Sequence, residues 1–372
     1  MKIKKFLIIL CLLAFAVPDY AQMRFNLANN LFSVLPDALT KQIVSSLDNL
    51  LISIENENLD TTLISNENAE FNRNFFAYLK GIEQKDTIKN YFQGTLINLY
   101  PVENKQYLLT ISYTKDNEIG RIFTFLAKEQ NEKIVFASPI KYNTKHWKTA
   151  KIGTITFFYP DTIDLKRAGS FNQKNILMAQ KLRLPVKEWE IYMSRNYQEA
   201  LQIQGCLYES TRNGLTNSGD IVDPKTLFAV MNDEDFSHDV LHIYAVEIRG
   251  KVRNSAAEEG IAYLWGNAYH TGNTGKSPEL PVLVSELQKY IKANPDVKLL
   301  DLFDKNPDVL AEYGYPKPVS VKSIISGIVC AEIEKQKGAD GIIELMKCGR
   351  GDENYFKSIE NLLGINRENF NE

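Results

Sequence analysis

The chain has 372 residues, of which 44% are hydrophobic and 24% are charged, and its formal net charge is −3. This composition is typical of a globular protein, and the lack of a basic stripe with interleaved aromatic residues argues against nucleic acid as a partner. A chain of this length is usually divided into two domains.

The first residues predict a signal peptide. Three lysines in Met1–Lys5 precede the apolar run Phe6–Phe15, which at ten residues is too short to span a bilayer. Small residues follow and offer cleavage after Ala16 or Ala21. We therefore expect residues 1–21 to be a cleavable signal peptide and the protein to be secreted or periplasmic. The remaining chain should carry a formal charge of −5 and no membrane span.

Residues 22–148 predict an accessory domain of class α+β. Apolar residues at helical spacing predict a helix over 38–54, preceded by the start signal Pro36-Asp37, and a short helix over 71–79. β-rich runs separated by turn residues then predict an antiparallel meander with strands at 95–100, 106–113, 121–127 and 133–137. N-terminal helices followed by a meander favour a cone-like α+β fold. The polar and basic stretch 142–150 is the candidate linker.

Residues 149–372 predict a second domain with a small sheet and a mainly helical C-terminal part. Its first predicted elements are a strand, a helix and a strand, at 154–159, 166–182 and 189–193. The apolar run 227–231 fits an edge strand that binds an extended peptide and fits a core strand equally well. The helices predicted beyond it are 281–294, 320–337, 341–347 and 355–363. Gly338 is the predicted stop between the second and third of these.

A histidine pair on a predicted helix is the most informative pattern in the chain. His238-Asp239-Val240-Leu241-His242 holds two of the four histidines, and residues four apart on a helix project from one face. A second helical pattern over 256–265 has the carboxylates Glu258 and Glu259 near its first turn, and its small residues permit close approach. Two imidazoles and a carboxylate from a second helix form a three-ligand site with one open position, as in catalytic zinc centres. The alternative is a helix that carries two histidines for packing or solubility.

The spacing His-x-x-x-His followed by Glu-Gly-x-Ala resembles the active-site helices of the gluzincin metallopeptidases, which include thermolysin-like and aminopeptidase-like enzymes. The resemblance covers the chain from about Gly153 to the C-terminus. It implies a gluzincin-like metallopeptidase domain over 149–372 with one zinc ion (Zn2+) bound by His238, His242 and Glu259. It also implies a peptide or protein substrate whose peptide bonds are hydrolysed by a zinc-activated water.

Asp239 departs from the family pattern, because the family has a glutamate directly after the first histidine, where it acts as general base. The resemblance implies this role for Asp239, whose side chain is one methylene shorter. A misplacement of about 1 Å costs on the order of 100-fold in rate. The chain is therefore either a peptidase with Asp239 as general base or a catalytically inactive binding or interaction protein of the same type.

The resemblance also implies a residue that stabilises the oxyanion, since gluzincins often supply a tyrosine or histidine for this purpose. The candidates are Tyr313 and Tyr315, in a loop with glycine and proline, and His270, in the loop after the Glu259 helix. Ordinary packing is the alternative for each of them. The sequence leaves open whether the substrate is a protein or a cell-wall peptide, and it leaves the oligomeric state open as well.

Overall fold

The structure, a computed structural model, describes residues 24–372 except 30, 32–34, 84–91, 104, 216–218, 224, 231–233 and 269–276. The predicted signal peptide and His270 lie outside the described residues. Within these ranges the chain combines helices with small sheets. No helix in the described part of the chain is both long enough and apolar enough to cross a bilayer.

In the described residues, every strand precedes residue 231 and only helices follow. The strands are β1 (Phe25–Leu27), β2 (Gln93–Glu103), β3 (Gln106–Lys115), β4 (Glu118–Gln130), β5 (Lys133–Ala137), β6 (Lys148–Ile152), β7 (Ile155–Tyr159), β8 (Trp189–Ser194), β9 (Cys206–Glu209), β10 (Gly219–Asp223) and β11 (Thr226–Val230). The helices are α1 (Asp37–Glu55), α2 (Ala69–Glu83), α3 (Ile140–Asn143), α4 (Leu165–Leu182), α5 (Tyr197–Ile203), α6 (Ser237–Arg249), α7 (Ser255–Trp265), α8 (Leu280–Ala293), α9 (Leu299–Lys305), α10 (Val321–Met346) and α11 (Asp352–Leu363).

The chain folds into two compact units, and the first of them is discontinuous in sequence. The first unit comprises the described residues up to Asn143 together with Leu201–Asn213, and the second comprises Thr144–Ala200 and Gly214–Glu372. The sequence predicts one boundary, between residues 148 and 149. It does not predict that the chain returns to the first unit after residue 200.

The first unit is built on a sheet in the order β1-β2-β3-β4-β5, with β9 paired to β4. Strands β2 to β5 form the antiparallel meander that the sequence predicts. Strand β1 lies parallel to β2, and β9 lies antiparallel to β4 at Arg121–Phe123, a stretch of β4 that precedes its pairing with β5. The cone-like shape stays a prediction.

Helix α1 has one buried apolar face, as the periodic pattern of the sequence predicts. The predicted helix over 38–54 is confirmed as Asp37–Glu55. Its apolar residues recur every three or four positions and are almost fully buried: Ile43, Leu47, Leu50 and Ile54. Burying a side chain of this size contributes about 1.5–3 kcal/mol relative to exposure, so this one face stabilises the helix in place.

The second unit contains a sheet in the order β10-β11-β8-β7-β6. Strands β7, β8 and β11 are parallel neighbours, and the two outer strands are antiparallel to them. Helix α4 connects β7 to β8, which is the usual way to join two parallel strands. Because β11 lies between β10 and β8, the interpretation of 227–231 as an edge strand is wrong and the core-strand interpretation is confirmed. The stretch 142–150, predicted as a linker, is not a linker throughout, because its last residues form part of β6.

Helix α7 packs closely against α10 in the helical part of this unit. Gly260 makes this approach possible, because a Cβ at this position would lie only 2.7 Å from the backbone carbonyl carbon of Ser326. Several small and apolar residues of α7 are buried with it: Ala256, Ala257, Ile261 and Ala262. The close approach fixes the position of Glu259, which directly precedes the glycine.

Helix α10 is bent at Gly338, where φ is 65° and the backbone leaves the helical region. A positive φ is costly for residues with a side chain and is readily adopted by glycine. The predicted helix stop at Gly338 is therefore confirmed, and the helical segments on either side of it correspond to the two predicted helices.

Candidate metal centre

Helix α6 presents the histidine pair. The helix begins at Ser237, so His238 and Asp239 lie in its first turn and His242 lies one turn later. The Nε2 atoms of the two histidines are 3.2 Å apart, and their ring centroids are 4.9 Å apart. The spacing of four residues thus brings both imidazoles to one side of the helix, as the sequence predicts.

Helix α7 brings Glu259 to the same point. Its N-terminus is fixed by Asn254, whose side chain accepts a hydrogen bond from the backbone N–H of Ala257 at 3.1 Å. Oε2 of Glu259 lies 3.4 Å from Nε2 of His238, and Oε1 lies 3.5 Å from Nε2 of His242. One ligand atom from each of the three residues lies within 4.8 Å of the other two.

These distances fit a metal ion. An ion with tetrahedral geometry and bonds of about 2.0–2.1 Å holds its ligand atoms about 3.3 Å apart. The two Nε2 atoms are 3.2 Å apart, and each lies 3.4 or 3.5 Å from a different oxygen of the Glu259 carboxylate. The side chain of His238 is 8% exposed, while those of His242 and Glu259 are 23% and 25% exposed. The group could therefore hold a metal ion and remain accessible from one side.

Both histidines are oriented through their second ring nitrogen. Nδ1 of His238 donates to the backbone oxygen of Asn267 at 2.8 Å, and Nδ1 of His242 donates to Oε1 of Glu258 at 2.7 Å. A histidine whose Nδ1 carries the proton presents an unprotonated Nε2 to a metal. Partners of this kind fix the ring and are typical of histidines that bind metals.

Glu258 is a functional candidate that sequence reasoning missed. Its side chain is only 1% exposed, and its charge is compensated by Arg249 and by Arg253, the second at 3.0 Å. Burial raises the pKa of the Glu258 carboxyl group, but the hydrogen bonds from His242 and Arg249 outweigh it, and the pKa is lowered. The signal that could have identified it is a carboxylate next to a predicted ligand, with two arginines, Arg249 and Arg253, between the histidine pair and that carboxylate.

Gly266 and Asn267, which directly follow α7, contact the start of α6. A Cβ at Gly266 would lie 3.0 Å from the backbone nitrogen of His238, so glycine permits this contact. The Asn267 side chain donates to the backbone oxygen of Asp235 at 3.0 Å, just before α6. His238 is thus positioned by contacts with a segment 29 residues away in sequence.

The charges of the group are coupled. Burial raises the pKa of Glu259, but the hydrogen bond from His238 and the nearby positive charges outweigh it and lower the pKa to about 2. Burial lowers the pKa of His238, but the hydrogen bond and charge of Glu259 outweigh it, and the pKa is raised. When His238 is protonated, it forms an ion pair with Glu259. A metal ion that binds here displaces a proton.

The other predicted site residues have different surroundings. Burial raises the pKa of Asp239, and the charges of His238 and His242 oppose this rise. Tyr313 and Tyr315 are partly buried and pack against the helical core. Among the described residues, no hydrogen bond joins either tyrosine to the three candidate ligands.

The chain matches no protein-family model and no curated protein. The functional interpretation of the group therefore rests on its geometry and on the sequence motif.

Proposed function

We propose that this chain binds one zinc ion through His238, His242 and Glu259 and hydrolyses peptide bonds as a gluzincin-type metallopeptidase. The observation that carries the proposal is the combination of ligand spacing with the orientation of both imidazoles through Nδ1. Two histidines and one glutamate are a known donor set for zinc in peptide hydrolysis.

The donor set also determines which chemistry is available. Imidazole and carboxylate ligands suit zinc, and three protein ligands leave a further position for water or substrate. A zinc ion in such a site supplies Lewis acidity, which lowers the pKa of water and polarises a substrate carbonyl. The partial exposure of His242 and Glu259 is consistent with access for a substrate.

Asp239 is the residue to which we assign proton transfer. It follows His238 in the first turn of α6, and burial raises the pKa of its carboxyl group. A raised pKa brings a carboxyl group toward the range in which it both accepts and releases a proton near neutral pH. In this role Asp239 accepts a proton from the attacking water and later passes it to the leaving amine.

A non-catalytic zinc-binding protein is the second candidate, and the length of the Asp239 side chain favours it. The aspartate carboxylate reaches less far than the glutamate of the gluzincin pattern, and a misplacement of about 1 Å costs on the order of 100-fold in rate. Such a protein would keep the metal centre for binding or interaction.

Zinc content and peptide cleavage test the proposal together. Purified protein is stripped of metal, reloaded with zinc and incubated with a peptide library, alongside the variants Asp239→Glu, Asp239→Asn and His238→Ala. We expect one zinc ion per chain, faster cleavage by Asp239→Glu, no cleavage by Asp239→Asn despite bound zinc, and loss of zinc in His238→Ala.

The outcomes separate the two candidates. If both the unaltered chain and Asp239→Glu bind zinc stoichiometrically but cleave no peptide, the non-catalytic function is correct. If the unaltered chain does not bind zinc, both candidates are wrong.

A further inference from the structure

Arg253 contacts both of the adjacent glutamates at the start of α7. Its Nε lies 3.0 Å from Oε1 of Glu258, and one of its terminal nitrogens donates to Oε1 of Glu259. A guanidinium group presents five N–H donors in a fixed plane, so a single arginine can hold two carboxylates at once. The side chain of Arg253 is 42% exposed. Its position is therefore fixed mainly by its contacts with the two glutamates and less by burial.

The contact with Arg253 leaves Oε2 of Glu259 available for a metal ion. Arg253 donates to Oε1, which also lies 3.5 Å from Nε2 of His242, whereas Oε2 lies 3.4 Å from Nε2 of His238. A carboxylate has about four lone-pair positions, so one oxygen can bind an ion while the other accepts a hydrogen bond. Each candidate ligand then has an outer partner: Asn267 for His238, Glu258 for His242 and Arg253 for Glu259.

The surrounding charges indicate which ligand depends most on Arg253. Glu258 also pairs with Arg249, whose side chain is 10% exposed. Removing the Arg253 guanidinium therefore leaves Glu258 with a compensating cation and with its hydrogen bond to His242. Glu259 instead loses the contact that fixes its Oε1 atom.

We propose that Arg253 is a positioning residue that orients Glu259 as a metal ligand and thereby sets the affinity of the centre for zinc. This inference rests on the proposed function, because it requires an ion at His238, His242 and Glu259. Removing a residue that orients a metal ligand typically weakens metal binding by roughly 10- to 100-fold.

Zinc affinity measured by competition with a chelator tests the role of Arg253 in the full chain. We expect Arg253→Gln to weaken zinc binding by about 10-fold or more. Arg253→Lys should recover part of the affinity, because a lysine supplies one point charge in place of the planar fork. In a background that carries Glu259→Gln, adding Arg253→Gln should change the affinity by less than about twofold, since the residue through which Arg253 acts is already altered.

A second readout reports the ligand geometry directly. The visible absorption spectrum of the Co2+-loaded protein depends on the coordination geometry, and it should change in Arg253→Gln. The matched control is Arg183→Gln, because Arg183 forms an exposed pair with Asp340 at 2.7 Å and lies outside the centre. We expect this control to keep both the affinity and the spectrum.

Arg253→Gln that binds zinc as tightly as the unaltered chain, or more tightly, overturns the inference and leaves the proposed function standing. An unchanged Co2+ spectrum in a folded Arg253→Gln variant overturns it as well. If Arg253→Gln does not fold, Arg253→Lys decides through the same two measurements. Absence of zinc binding by the unaltered chain refutes the proposed function, and this inference fails with it.

Discussion

Replacing Gly260 by alanine should destabilise the protein, although alanine favours helices more than glycine does. At an open helical position this change stabilises a protein by about 0.5–1 kcal/mol. At Gly260, however, the added Cβ would lie 2.7 Å from two atoms of Ser326 and 2.8 Å from its carbonyl oxygen. Ordinary contacts begin at 3.4 Å, so α7 and α10 must separate by about 0.7 Å. Backbone atoms are among those in the way, and a side-chain rotation cannot relieve the contact.

Overpacking of this kind costs about 1–3 kcal/mol, which outweighs the gain in helix propensity. We therefore expect Gly260→Ala to lower the free energy of unfolding by roughly 1–2 kcal/mol. Denaturation in urea with the metal-free protein measures this value. The matched control is Gly169→Ala in α4, where no atom outside the neighbouring helix backbone lies within 4 Å of the added Cβ. This variant should gain about 0.5–1 kcal/mol.

The shift should also reach the candidate ligand, because Glu259 directly precedes the altered residue. Zinc binding by Gly260→Ala should therefore be weaker than binding by Gly169→Ala. If Gly260→Ala proves as stable as Gly169→Ala, the close approach of the two helices does not constrain this position, and the reasoning is refuted.

Zinc at 100 times its dissociation constant should stabilise the protein by about 2.7 kcal/mol. Calorimetry should then show a higher unfolding temperature with zinc than without it. An equal rise of the unfolding temperature in His238→Ala would contradict the assigned ligands. Glu258→Gln should weaken zinc binding by about 10- to 100-fold in chelator competition, and unaltered affinity would mean that His242 does not need the carboxylate. Folding lowers the pKa of Glu259 from 4.5 to about 2, so its ionised form stabilises the metal-free protein above pH 4.5 and this contribution is lost as the pH falls toward 2. The stability difference between the unaltered chain and Glu259→Gln should therefore be largest between about pH 5 and the pH at which His238 loses its proton, and should shrink on either side. A difference that does not vary with pH would contradict the ion pair.

Local periodicity was sufficient to predict much of the secondary structure. The helix over 38–54 and the strands of the meander each depend on apolar residues at a regular spacing, and burial of one face preserves that spacing in the fold. The histidine pair belongs to the same class of signal, because a separation of four residues on a helix fixes the relative direction of the side chains. The second helix with small residues predicted a carboxylate near the pair, and the choice of Glu259 came from the family resemblance.

Contacts between distant segments could not be predicted in this way. Whether 227–231 is an edge or a core strand depends on its neighbours β10 and β8. The same apolar sequence is compatible with either position. The partners of the two Nδ1 atoms are a backbone oxygen at Asn267 and the buried carboxylate of Glu258, and each depends on how α7 packs against α6. No spacing rule in one sequence specifies such contacts.

The pairing of β9 with β4 links the order of synthesis to the order of folding. Until Cys206 has been synthesised, the edge of β4 at Arg121–Phe123 lacks the strand that pairs with it in the folded protein. At about 5–20 residues per second, the ribosome needs roughly 4–17 s to pass from this edge to its partner. An unpaired strand edge is a template for association with other chains, so the nascent chain is exposed to aggregation for that time. A chain that ends before Cys206 keeps this edge permanently.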